Sequence, residues 1–449
     1  MTAQTTIDLR TRAGPVAATL LASMGTSIAN IALPTMANAL QAPFGTVQWV
    51  VIGYLLALTV LSAGAGRWGD RIGHVRALRI GVAVFAAGAL AAALAPGIGG
   101  LIAARVLQGM GAALMIVMPM AVLRGSAAPD TLGRAMGLLG SASAVGTALG
   151  PALGGMLVAG LGWRAVFWLL AILGTACIAL IVPSQPIVRP PARVGDAAGA
   201  ATLAVAVASL ALAPTLGGGP LAVALLVLSA AAFWLFLRVE RAASDPFFPQ
   251  ATLANPTLRR AFVVNALVAA VMMTTLVVGP FFLAQGLGLG PGAVGLVMSL
   301  GSVLSALSGL PAGRLVDRFG AARLIRASLA QMGLAVAVIA CLAPMSILWP
   351  YLVGIFLLTP GYQLFMAANT TQVMSGAAMD QRGALAGFLG LSRNLGLILG
   401  AAVLGAIFAS ATGETTLVAA APAQIALGTS VAFAAATALL FTALAIPSR

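Results

Sequence analysis

The octapeptide Gly66-Arg67-Trp68-Gly69-Asp70-Arg71-Ile72-Gly73 returns 247 residues later as Gly313-Arg314-Leu315-Val316-Asp317-Arg318-Phe319-Gly320. Both copies read G-R-x-x-D-R-x-G, and both stand where a long apolar segment ends. A repeated signature at such a place says that the chain is two related halves. The surface they cover themselves with faces lipid. Of the 449 residues 61% are hydrophobic and 7% charged, and the mean hydropathy is +1.07. A soluble domain carries about a quarter charged residues.

The net charge of +14 would suit a nucleic-acid binder. The arginines, however, lie strung between apolar segments instead of gathered on one face, which excludes that reading. There is no lysine in the chain. Cys177 and Cys341 fall inside apolar segments and read as small packing residues, with no metal-ligand spacing and no disulfide framework. His74 reads as a solvated loop residue beside Arg76 and Arg79. No cleavable leader is expected, because the first apolar segment continues for a full span.

A spanning helix needs ~20 apolar residues. That rule places fourteen, near 15–38, 46–66, 77–95, 98–122, 132–158, 163–183, 197–213, 220–237, 260–285, 292–312, 323–343, 347–369, 383–409 and 423–446. With a cytoplasmic N-terminus, the inner loops and termini collect nearly every arginine, and only Arg164 falls outside. The positive-inside rule asks for this bias, so both termini are expected to be cytoplasmic. The first octapeptide follows helix 2 and the second follows helix 10, an offset of eight where a plain six-plus-six chain would give six. Helices 7 and 8 are therefore additional. The expected organisation is all-α and integral to the membrane: a six-helix half over 1–183, a linker over 184–259 with spans near 197–213 and 220–237, and a second six-helix half over 260–449.

Several segments carry more specific patterns. Helix 4 holds Arg105-Val-Leu-Gln108-Gly109-Met-Gly111. An arginine a turn or two inside a span is costly, so it should face a polar cavity, with Gln108 on the same helix face. The bland alternative is a side chain snorkelling to the outer interface. Helix 5 carries Gly137, Gly146, Gly150-Pro151 and Gly154-Gly155. Small residues let it press on a neighbour, and the Gly-Pro step bends it. Helix 1 reads Met24-Gly25-Thr26-Ser27-Ile28-Ala29-Asn30-Ile31-Ala32-Leu33-Pro34, helix 2 opens with Gln48-Trp49-Val50 and reaches Tyr54, and helix 13 holds Arg393-Asn394-Leu395-Gly396.

Together these residues resemble the major facilitator superfamily, and within it the fourteen-helix drug:proton antiporter branch. The resemblance covers essentially the whole chain and implies two rocking halves that export small amphipathic compounds by proton antiport. It implies that the octapeptide loop acts as a conformational latch through Gly66, Asp70, Arg71 and Gly73, and in the second copy through Asp317 and Arg318. Asp130 is a possible partner for Arg71. The helix 5 glycines and Pro151 belong to an antiporter element, and Arg393 to a buried seam or cavity position. By the same resemblance helices 1, 4, 9 and 12 surround the pathway, so Asn30, Arg105, Gln108, Met115, Met272, Met273, Thr275, Tyr362 and Gln363 are candidate substrate contacts, with Tyr54 beside them. For any one methionine, plain helix packing is the competing reading.

One departure matters. The branch carries an acid in helix 1 where this chain has Gly25, and none of the nine acids lies in the middle of a span. A cavity with arginine and no carboxylate should be neutral to positive, so neutral or anionic amphiphiles are expected over lipophilic cations. Proton coupling without an intramembrane carboxylate leaves an uncoupled facilitator or a metabolite exporter open, and further off a membrane sensor. No phosphate-binding G-x-x-x-x-G-K-[ST] sequence, cofactor motif or catalytic set occurs, so the chain is not expected to be an enzyme. It is expected to work as a monomer in the inner membrane.

Overall fold

The computed structural model describes residues 2–126, 132–182, 197–216, 219–242, 255–375, 382–413 and 420–446. Fourteen long helices account for them. They are α1 (Thr2–Ala39), α2 (Trp49–Ile72, led by the turn Phe44–Val47), α3 (His74–Ala93), α4 (Ile98–Ser126), α5 (Leu132–Leu161), α6 (Arg164–Leu180) and α7 (Ala197–Thr215). There follow α8 (Pro220–Ala242), α9 (Pro256–Phe281), α10 (Pro291–Phe319), α11 (Ala321–Leu342), α12 (Leu348–Ser375), α13 (Arg382–Leu399) and α14 (Pro422–Ala445). Thirteen segments are long and apolar enough to cross a bilayer; α6, the one shorter apolar helix, has 17 residues. The chain is a multi-pass membrane protein, with fourteen helical rods among the described residues.

The octapeptides are not loops. Gly66 to Ile72 form the last turns of α2, and Gly313 to Phe319 the last turns of α10. The chain breaks at the final glycine of each copy, where φ is +91° at Gly73 and +81° at Gly320. An L side chain rarely adopts that backbone, which explains why both copies end in glycine. Helix thus continues past the apolar stretch, and the expected ends at 66 and 312 fall short. The α9 start is set by Asn255, whose Oδ1 accepts the amides of Thr257 and Leu258 at 3.0 and 3.4 Å, with Pro256 at the first helical position.

Packing repeats between the halves. α1 lies on α5, α2 on α4, α3 on α4 and α6; likewise α9 lies on α13, α10 on α12, and α11 on α12 and α14. The halves meet where α1 touches α9 and along two seams. In one, α5 meets α10; in the other, α2 meets α13. The hairpin of α7 and α8 stands outside, with α7 resting on both α2 and α13. Two wide turns, Phe282–Gly286 after α9 and Gly400–Leu404 after α13, belong to the second half, and the latter runs on into the short helix Gly405–Thr412. The repeated octapeptides define one end of the bundle, called here the repeat end; the opposite end is the far end.

Candidate functional site

Arg105 is wholly buried. Its Nε donates to the Val50 carbonyl at 2.9 Å, Nη1 to Gln108 Oε1 at 2.6 Å, and Nη2 to the Gly25 carbonyl at 3.2 Å. The guanidinium lies 4.1 Å from the centroid of the Tyr54 ring and 5.9 Å from that of Phe167. Tyr54 in turn donates its hydroxyl to the Ala22 carbonyl at 3.0 Å. One cation therefore fastens α4 to α1 and α2 and faces α6, held by carbonyl dipoles and aromatic faces instead of a carboxylate. It does not snorkel.

Gly25, where the branch has an acid, has no room for one. A Cβ there would stand 2.9 Å from the Phe85 ring and 3.3 Å from the Tyr54 hydroxyl. Its carbonyl is instead a ligand of the guanidinium. Asn30 Oδ1, Gln48 Oε1 and Gln108 Nε2 are buried without hydrogen-bond partners among the described residues. These are unused polar capacity inside the first half.

The other substrate candidates divide. Met115, Met273 and Thr275 are buried, and Thr275 turns its hydroxyl back to the Met272 carbonyl at 2.7 Å. Met272, Tyr362 and Gln363 are half-buried. Gln363 Nε2 donates to Ser305 Oγ, tying α12 to α10. The structure groups Arg105, Gln108 and Tyr54, all three in the first half.

Arg393 is exposed on α13 and not enclosed in a seam, which leaves the cavity-facing alternative. The polar tie between α9 and α13 is Asn265, whose Nδ2 donates to the Leu389 carbonyl at 2.8 Å and to Ser392 Oγ at 2.7 Å. Cys177 is buried as expected, whereas Cys341 is exposed. His74 opens α3 and sits 2.9 Å from Asp70. Asp70 and Asp317 are exposed, and Glu240, in the last turn of α8, is buried. Asp130 lies outside the described residues.

The far end is where the halves meet most closely. Phe44 packs with both Phe281 and Phe408 at 5.0 Å between ring centroids, joining the first half to α9 and the short helix after α13. Gln285 Nε2 donates to Asn38 Oδ1 at 3.3 Å. A Cβ on Gly405 would collide with Gln48 Oε1, and one on Gly155 would fall 2.7 Å from the Gly295 Cα. The α5 glycines serve two neighbours: Gly146, Gly150 and Gly154 accept α1 at Leu20, Ser27 and Ile28, while Gly155, a turn beyond buried Pro151, accepts α10. Sequence reading did not single out Phe44, Phe281, Phe408 or Phe85, because isolated phenylalanines in apolar runs carry no signal.

Two parted halves around a seam closed at one end form a transporter architecture. Comparison with protein families matches residues 16–401 to the Major Facilitator Superfamily. The chain belongs to that superfamily and is not an enzyme. Among curated relatives, a drug efflux pump of Mycobacterium tuberculosis, JefA, is 32% identical over 409 residues, covering 86% of this chain and 78% of that one. The tetracenomycin C resistance and export protein of Streptomyces glaucescens is 28% identical, covering 88% and 75%. A riboflavin transporter of Clostridioides difficile, RibZ, is 26% identical, covering 87% and 86%. Among solved structures, a peptide transporter POT in complex with sulfate matches with a TM-score of 0.70 at 15% identity, covering 97% and 93%. A bacterial homolog of the lysosomal transporter Spinster, inward-facing and unoccupied, matches at 0.69 and 16% identity, covering 98% and 95%.

Proposed function

We propose that this protein exports small amphipathic compounds across the cytoplasmic membrane by alternating access, as a drug or antibiotic efflux carrier. The observation that carries the reading is the asymmetry of the seams. They are closed at the far end by Phe44, Phe281, Phe408 and the Gly155–Gly295 crossing, while Gly137 and Gly140 of α5 and Gly309 and Gly313 of α10, toward the repeat end, have no neighbour within 4 Å of a built Cβ. That is one of the two end states an alternating carrier must visit. Relatives named for drug efflux and for antibiotic export support the substrate class. With the arginine-rich loops inside, both termini are cytoplasmic and the open end faces the cytoplasm. Fusions of a periplasm-active reporter to either terminus would then stay silent.

Neutral or anionic amphiphiles are the preferred cargo. Arg105 is enclosed without a carboxylate, so the first half is positive inside, and Phe85 occupies the space a helix 1 acid would need. A riboflavin transporter among the relatives is consistent with a cargo that is not a lipophilic cation. Proton antiport is the expected drive; an uncoupled facilitator is the second reading, favoured by the absence of any acid from the middle of a span.

The test is efflux from cells loaded with one cationic, one neutral and one anionic amphiphile, with and without a protonophore. Protonophore-sensitive efflux of the neutral or anionic probe supports antiport. Efflux that persists down the probe's own gradient identifies the facilitator. Preferential export of the cation overturns the charge argument.

A further inference from the structure

α9, α11 and α12 leave a cleft between them at the repeat end. Arg260 stands one turn into α9 and Arg326 in the second turn of α11, and both line it. Asn369 and Gln372, one turn apart near the end of α12, form its third side, while Val264 and Ile325 are its apolar part. Arg260 is half-buried and Arg326 exposed. Neither guanidinium has a hydrogen-bond or ion-pair partner among the described residues, and no acid among them lines the cleft. The two cations repel each other. Asn369 is buried and gives one amide hydrogen to the Ala261 carbonyl at 3.4 Å, which leaves the second unspent. Two unmatched cations and a spare amide donor are the inventory of an anion site.

The fold does not require this pair. The positive-inside rule asks only that arginines lie on one side of the membrane, not that two of them share a cleft. The first half serves as an internal control. The octapeptide offset of 247 residues matches Arg326 to Arg79. Leu20 and Ala266 receive Gly146 and Gly396 at equivalent crossings, and six residues before them stand Gly14 and Arg260. The first half therefore has a glycine, pressed against Ile181, in the place of the other arginine. The enclosed space of the cleft is about 20 Å³, enough for one water or one oxygen of a ligand. A bulky anion cannot enter, but a phosphate can insert one oxygen and keep the rest at the mouth. With the repeat end on the cytoplasmic side, that mouth lies at the headgroup level of a leaflet that carries anionic lipid. We infer that Arg260 and Arg326, with Asn369 and Gln372, bind the phosphate of an anionic phospholipid of the cytoplasmic leaflet. The headgroup ties the start of α9 to the start of α11.

The site takes from the export reading only the orientation of the repeat end. Its test is native mass spectrometry of the full-length protein in detergent, titrated with phosphatidylglycerol or phosphatidylcholine. The wild type should prefer phosphatidylglycerol. Arg260→Gln combined with Arg326→Gln should weaken its tightest binding roughly tenfold or more. Arg76→Gln combined with Arg79→Gln removes the same charge from the matching end of the first half and should bind as the wild type does. Equal affinity for the two lipids, undiminished binding in the first variant, or an equal loss in both variants would overturn the inference. Displacement of the lipid by millimolar inorganic phosphate would also overturn it, by making the cleft a site for free anions. A second readout is the melting temperature of lipid-stripped protein. Arg326→Gln relieves the repulsion and breaks no bond, so the melting temperature should not fall; a fall would show the pair bonded within the protein and would sink the assignment. Binding is read without flux, so failure to find an exported compound would bear on the export reading alone.

Discussion

The guanidinium of Arg105 lies 4.1 Å from the centre of the Tyr54 ring, and the Tyr54 hydroxyl reaches the Ala22 carbonyl at 3.0 Å. Cation and phenol form one unit that binds α1, α2 and α4 together. The unit holds a full charge without an acid beside it, and that arrangement dictates how the first half should respond to substitution.

Arg105→Ala leaves Gln108 Oε1 without its donor in a buried site, removes a second bond from the Val50 and Gly25 helix carbonyls, and opens a cavity against Tyr54 and Phe167. An unmet buried group costs on the order of 1–3 kcal/mol, and the cavity adds to it. We expect a loss of about 3 kcal/mol, read as a lower melting temperature of the solubilised protein. Arg105→Lys keeps the charge but not the fork, and should recover less than half of that loss.

Gly25→Asp alone should fold poorly, because its Cβ meets the Phe85 ring at 2.9 Å. Pairing it with Phe85→Ala makes room and sets a carboxylate beside the Arg105 guanidinium. The double variant should gain export of a lipophilic cation at the expense of an anionic probe, measured in the same efflux assay. An unchanged preference would show that charge in this region does not select cargo.

Phe44→Ala removes a ring that touches both Phe281 and Phe408. Large-to-small changes at such sites cost about 3 kcal/mol. Here the loss falls on one conformational state more than on the fold. A Gln48→Cys reporter, buried in the parent, should become several-fold more reactive toward an impermeant maleimide added from the far side.

Asn265 donates to both Leu389 and Ser392 across α9 and α13. Asn265→Leu should cost about 1 kcal/mol per bond lost. Asn265→Asp should be worse, because a carboxylate cannot donate to a carbonyl. Melting of the two variants side by side decides the order.

The architecture was legible because its signals are long-range and redundant. Apolar run lengths, arginine placement and the repeated octapeptide all give fourteen helices with two of them additional. The helix ends were less legible. Arg67 to Arg71 read as loop since hydropathy falls there, yet the backbone stays helical until Gly73, the first residue that must leave it. Arg105 was found because an arginine in a span is rare, but two of its ligands are backbone carbonyls, which no residue type advertises. Arg393 carries the same signal and stands exposed: an arginine in an apolar run signals a cost without saying which way the side chain turns. The far-end phenylalanines come from three distant segments, and no periodicity in one sequence links them.

A guanidinium does not titrate in a protein, so the ion enclosed within the first half keeps one charge throughout any cycle. In a cycle uncoupled from protons, the transported molecule's own charge is then the charge carried from one side of the membrane to the other. Each elementary charge carried across 100 mV is worth about 2.3 kcal/mol. In a cell that is negative inside, that force hinders a departing cation, ignores a neutral molecule and drives an anion outward.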